Sequence, residues 1–167
     1  MNITLIGMPG SGKSTVGKEL AKKLNYNFID VDRLMEKKEG LPLQEILRKL
    51  GGKKFLELEE EIVLELTNLN NTIISPGGSI IYMEKAMNHL KENSKIIFLD
   101  VSLDIIKERL STAVPRGIIG GSAEEVFAER NVLYKKYADF TIPADAGIDE
   151  TTERLKFYIL NNIPLDQ

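Results

Sequence analysis

Nine consecutive residues, Gly7-Met8-Pro9-Gly10-Ser11-Gly12-Lys13-Ser14-Thr15, constrain this chain more than any other feature. They satisfy the pattern G-x-x-x-x-G-K-[ST] at each fixed position and follow a strand-like run, Ile3-Thr4-Leu5-Ile6. Such a loop leaves a buried strand and enters a helix, predicted here from Lys13 to about Leu24. The chain is therefore an α/β protein that binds a nucleoside triphosphate. Backbone N–H groups converge on phosphate because glycine lets the chain curl without a Cβ, and the helix turns its positive end to the same anion. Gly10, Ser11, Gly12, Lys13, Ser14 and Thr15 are expected to cradle the nucleotide, with the Lys13 ammonium on the β- and γ-phosphates and the Ser14 hydroxyl on Mg²⁺.

Further short apolar runs, Asn27–Val31, Thr72–Ser75, Lys95–Leu99 and Asp139–Ile142, alternate with helical periodicity. Five parallel strands in a three-layer α/β sandwich are predicted. Between the second and third strands, Leu43, Ile46, Leu47 and Leu50 recur at helical spacing, followed by Phe55, Leu58, Ile62 and Leu66, with breaks at Gly40-Leu41-Pro42 and Gly51-Gly52. Ser111 to Gly121, containing Pro115, Gly117, Gly120 and Gly121, reads as a lid. The 167 residues suit one domain, 1–167, with substrate-binding helices over about 32–66 and the lid over about 111–121.

Composition narrows the partners. A net charge of -3 without an arginine-rich stripe argues against a nucleic-acid partner, which would require neutralised phosphates. No apolar run approaches the roughly 18 residues of a membrane span. The absence of cysteine and of a signal peptide points to a reducing, cytoplasmic setting, and a monomer is expected. His89, the only histidine, falls in the polar helical stretch Glu84 to Asn93 and is expected on the surface without a partner.

In open parallel sheets ligands sit beyond the carboxyl ends of the strands, so the polar residues there are the candidates for chemistry. Asp30 and Asp32 lie two apart at the end of the second strand, which predicts that both face one cleft. One would hold Mg²⁺ and the other a substrate hydroxyl; a plain helix cap at Asp32 is the alternative. Gly77 and Gly78, after the third strand, have unhindered N–H groups that can receive a carboxylate or hydroxyl of a second substrate. Arg109, Arg116 and Arg130 could neutralise phosphate; Arg116, beside Gly117 in the lid, is placed to swing onto a transferring phosphoryl group. A helical salt bridge is the simpler role for Arg130.

Taken together, Gly7–Thr15, Phe28-Ile29-Asp30-Val31-Asp32, Phe55 with Glu59, Ser75-Pro76-Gly77-Gly78, Arg116 and Arg130-x-x-Leu133-Tyr134 resemble shikimate kinase from residue 2 to about residue 145. The resemblance implies a nucleoside-monophosphate-kinase-like P-loop fold with strand order 2-3-1-4-5 and transfer of the ATP γ-phosphate to the 3-hydroxyl of shikimate. It further implies Asp30 near Mg²⁺ through water, Asp32 on the substrate hydroxyls, and Phe55 in the substrate site. Gly77, Gly78 and Arg130 would hold the substrate carboxylate, Arg116 would be the lid arginine, and Arg109 would lie against adenine. The chain departs from the family pattern where an arginine that grips the carboxylate is replaced by Leu56. Gly52 replaces an acidic residue, Ser79 a third glycine, and Arg116-Gly117-Ile118-Ile119 the usual Arg-Pro-Leu-Leu of a longer lid.

Other P-loop classes fit less well. A regulatory GTPase needs Asn-Lys-x-Asp and Asp-x-x-Gly, and neither occurs. A nucleoside monophosphate kinase would need more acceptor-side arginine. The remaining alternatives are a paralogue acting on another small hydroxylated metabolite and a non-catalytic nucleotide-binding module, for which an acceptor aspartate would have no use.

Overall fold

The computed structural model describes residues 1–112 and 122–163. Five parallel strands, β1 (Ile3–Ile6), β2 (Asn27–Asp30), β3 (Thr72–Ser75), β4 (Lys95–Asp100) and β5 (Phe140–Pro143), form one sheet in the order β2-β3-β1-β4-β5. Every residue of β1 and β3 is buried. A strand can be buried at each position only if helices cover both faces of its sheet, which gives the expected three-layer sandwich. The helices are α1 (Lys13–Leu24), α2 (Val31–Glu39), α3 (Leu43–Leu64), α4 (Glu84–Asn93), α5 (Leu103–Thr112), α6 (Ala123–Tyr137) and α7 (Ile148–Asn162). α1 packs on α7, α2 on α3, and α3 on α4. No helix among the described residues is long and apolar enough to cross a membrane.

The predicted first and third strands match residue for residue, and α1 spans the predicted range. The break expected at Gly51-Gly52 is real: α3 is two helices meeting at Gly51, whose φ of 76° and ψ of 165° are non-helical. β5 starts one residue late because Asp139 is an entry cap, its Oδ2 accepting from the Ile96 N–H at 2.8 Å. The second strand differs with more consequence. β2 stops at Asp30, and Val31 opens α2, where it and Met35 form the buried side of the helix. Asp32 thus lies in the first helical turn, where its charge complements the helix dipole, and the alternation that put Asp30 and Asp32 on one strand face does not apply. The cap residue is Asp30, and its side chain makes no capping bond. His89 also differs from expectation. It is half-buried on α4, and its Nε2 pairs with the Leu66 carbonyl at 2.9 Å.

Candidate active site

The site is assembled at the carboxyl ends of β1, β2 and β3, starting from the phosphate loop. Gly10 (φ 84°) and Gly12 (φ 91°) take left-handed conformations that a Cβ would strain, and they bend the loop so that Ser11 N–H reaches the Met8 carbonyl at 3.0 Å. Gly12 caps α1 with no side chain, and the first turn of α1 carries no acid. Its N-terminal amides and positive dipole end therefore stay available to an anion. The Ser11 hydroxyl is buried without a partner among the described residues, as suits a group meant for phosphate oxygen.

Lys13 is 8 % exposed, and its ammonium donates to the Gly7 carbonyl at 2.8 Å and the Met8 carbonyl at 3.1 Å. Burial pulls its pKa down to about 8, against the opposing charges of Asp32, Glu59 and Asp30. Arg109, in the last turn of α5, donates through Nη1 to the Gly10 carbonyl at 3.1 Å and so lies against one end of the phosphate loop. Ser14 and the exposed Thr15 line the same end.

The donors for a hard cation lie together. Asp30 is the register partner of Ser75, and Asp30 Oδ1 is buried with no hydrogen-bond partner among the described residues. Ser75 Oγ is 3.5 Å from Ser14 Oγ. Oxygen donors beside a phosphate loop fit Mg²⁺, which keeps several waters and takes few protein ligands. Among the described residues no group of three or more His, Cys, Asp and Glu could hold a metal.

A cavity of about 300 Å³ joins the phosphate loop to the acceptor side, which is formed by Asp32, Leu43, Leu47, Phe55, Glu59 and the turn Pro76–Ser79. Glu59 is the residue that sequence reasoning undervalued. It is 1 % exposed on α3, and its Oε1 accepts the Gly77 N–H at 2.7 Å. The Gly77 amide is thus paired with Glu59 in this structure. Burial and the neighbouring Asp32 carboxylate push the Glu59 pKa up to about 8, against the Gly77 hydrogen bond, Lys13 and Arg130.

Arg130 is 0 % exposed, so it is neither a solvated residue nor half of a surface salt bridge. Its guanidinium lies 5.5 Å from the Tyr82 ring centroid, and its charge acts on the Tyr82 and Tyr134 phenols. The signal for this was in the sequence. Val126, Arg130 and Tyr134 recur every four residues and make the buried side of α6, so Arg130 belongs to the core face. Arg130, Asp30 and the half-buried Leu56 do not line the cavity. Ser111 and Thr112, the first residues of the lid predicted over about 111–121, belong to α5 instead, while Arg116 and the rest of that segment, 113–121, lie outside the described residues.

The charge on Glu59 has a measurable consequence. Its pKa is raised from 4.5 unfolded to about 8 folded, so the folded state holds the extra proton and stability is lost as pH rises between those values. Glu59→Gln keeps an acceptor for Gly77 without the charge. The variant is expected to match wild type near pH 5 and to melt higher than wild type at pH 8; parallel melting curves across that range would show that Glu59 is not buried as a proton-holding acid.

The sequence model of the shikimate kinase family matches residues 9–159. The shikimate kinase of Sulfurihydrogenibium is 39 % identical over 147 residues, covering 86 % of this chain and 88 % of that one. Among solved structures, shikimate kinase from Aquifex aeolicus superposes with a TM-score of 0.84 at 33 % identity, covering 97 % of this chain and 98 % of the other. Shikimate kinase from Acinetobacter baumannii in complex with shikimate gives a TM-score of 0.85 at 27 % identity, with 98 % and 95 % covered.

Proposed function

The chain belongs to the shikimate kinase family, and we propose from that premise that it transfers the γ-phosphate of ATP to the 3-hydroxyl of shikimate. The observation that carries the reading is one cavity in which the phosphate loop faces an acceptor wall bearing Asp32 and Glu59, with Lys13 close enough to feel both charges. A nucleotide-binding module without an acceptor has no need of two carboxylates there.

In this reading the ATP phosphates take over the Lys13 ammonium from the Gly7 and Met8 carbonyls. Asp32 accepts a hydrogen bond from the shikimate hydroxyl and takes its proton as the new O–P bond forms and the bond to the ADP oxygen breaks. Ser14 and Asp30 would hold Mg²⁺, which when bound would supply neutralising charge at the phosphates. Arg130, set behind the cavity lining but near enough for its charge to act on Lys13 and Glu59, serves the substrate carboxylate with the Gly78 N–H, while the Gly77 amide stays with Glu59. Phe55 covers an apolar part of the ring, Arg109 flanks adenine, and Arg116 is the lid arginine. A monomeric, cytoplasmic form belongs to the same proposal.

ADP production with a panel of hydroxylated acceptors tests it. Shikimate-dependent turnover yielding shikimate 3-phosphate is expected; turnover with another polyol alone would make the chain a paralogue. Leu56 sharpens the test, since it stands where the family pattern has the carboxylate-gripping arginine. Leu56→Arg is expected to lower the shikimate KM by roughly tenfold or more through a charge-assisted bond. An unchanged KM would mean that position 56 does not reach the carboxylate.

A further inference from the structure

Tyr134 is 0 % exposed on α6, and a buried phenol needs a partner for its hydroxyl. The partner is the Gly78 carbonyl, which accepts the Tyr134 O–H at 2.6 Å. The ring is fixed by stacking on Phe98 of β4, with centroids 5.1 Å apart and planes at 23°. The Arg130 guanidinium lies one helical turn earlier on α6, and its positive charge acts on the phenol. Because its proton is given to Gly78, the phenol oxygen keeps its lone pairs for that cation, and Tyr134 stands between Arg130 and the backbone of the acceptor turn.

That turn is held from the other side by the phosphate loop. A Cβ built on Gly78 would lie 2.6 Å from Pro9 Cδ and 3.1 Å from Pro9 Cγ, so Gly78 and Pro9 are in direct contact and only glycine fits. Met8 Sδ, in the same loop, is 4.0 Å from the Tyr134 oxygen. One hydroxyl thus joins the acceptor turn to the nucleotide loop, within the field of the buried guanidinium.

We propose that Tyr134 is a positioning residue for the acceptor: its hydroxyl sets the Arg130 guanidinium relative to the Gly77-Gly78 turn and fixes that turn against the phosphate loop. The proposal rests on the reading of this site as a kinase acceptor pocket with Arg130 serving a carboxylate. It has particular weight in a chain with Leu56 in place of a second arginine, because the orientation of a single planar guanidinium then decides whether both of its N–H groups meet the carboxylate.

Tyr134→Phe keeps the ring and its stacking and removes only the hydroxyl. The acceptor KM is expected to rise about tenfold or more, the scale of a hydrogen bond to a charged group, while kcat and the dissociation constant of an ATP analogue change less than about threefold. The carboxamide of shikimate, which lacks the charge that Arg130 serves, should show the same KM with both proteins. An unchanged shikimate KM, equal losses for shikimate and its carboxamide, parallel losses in acceptor and nucleotide binding, or loss of the fold would each overturn the proposal and leave Tyr134 as core packing. Failure of the underlying reading looks different: wild type itself would then show no shikimate-dependent turnover, and the comparison passes to the acceptor that the panel identifies and to its form lacking the anionic group.

Discussion

Lys13→Ala is expected to lower phosphoryl transfer by at least about 10³-fold, because in the proposed reaction it deletes the cation that meets the β- and γ-phosphates, where charge accumulates in the transition state. The structure separates that loss from a loss of folding. The Lys13 ammonium donates to two loop carbonyls, so its removal leaves the Gly7 and Met8 oxygens short of those donors. Removal also relieves the cost of burying an ammonium, a cost visible in the pKa drawn down to about 8. The two effects oppose each other, and stability near pH 7 should change by no more than about 1–2 kcal/mol. The pH dependence gives an independent check. A lysine at about 8 folded and 10.5 unfolded carries fewer protons in the folded state, so wild type gains stability as pH rises through that window. The alanine variant should lack this gain. Wild-type turnover by Lys13→Ala would refute the phosphate-loop assignment, and a collapsed melting temperature would make the lysine a folding element first.

The parts of this site that could be read from the sequence are those governed by local backbone chemistry. The phosphate loop needs glycine at Gly10 and Gly12 for positive φ, and a pattern with such demands has few other uses. The break at Gly51 is legible for the same reason. Asp32 was assigned to the cavity, where it does lie, but by an argument that fails, since β2 ends at Asp30 and a helix delivers Asp32. Strand ends are set by where the ladder partner stops, and β3 stops at Ser75, opposite Asp30. The pairing of Glu59 with the Gly77 N–H spans 18 residues and depends on how α3 packs, which no local pattern encodes. The buried state of Arg130 was encoded in the spacing of α6, yet a charge on a core face is so costly unless partnered that hydrophobic periodicity alone reads it as surface.

The position of Asp32 in the first turn of α2 determines what its removal should do. A helical site holds the carboxylate more rigidly than a strand-end loop would, and the Gly77 turn bounds it: a Cβ on Gly77 would sit 3.3 Å from Asp32 Oδ1. Asp32→Asn keeps the shape and removes the base. Two consequences compete in stability. The helix dipole loses a favourable charge worth about 0.3–1 kcal/mol, while Glu59 and Asp32 no longer repel, which lets Glu59 ionise more readily. These act in opposite directions, so melting should shift little. Catalysis has no such compensation: without a carboxylate to take the hydroxyl proton, kcat is expected to fall by about 10²–10⁴ while ATP binding changes by less than about threefold. If instead kcat and nucleotide affinity fall together with the melting temperature, Asp32 serves the start of α2 rather than the acceptor, and the proton must leave by way of Glu59, the other carboxylate on the cavity wall. Glu59→Gln would then carry the larger loss in kcat.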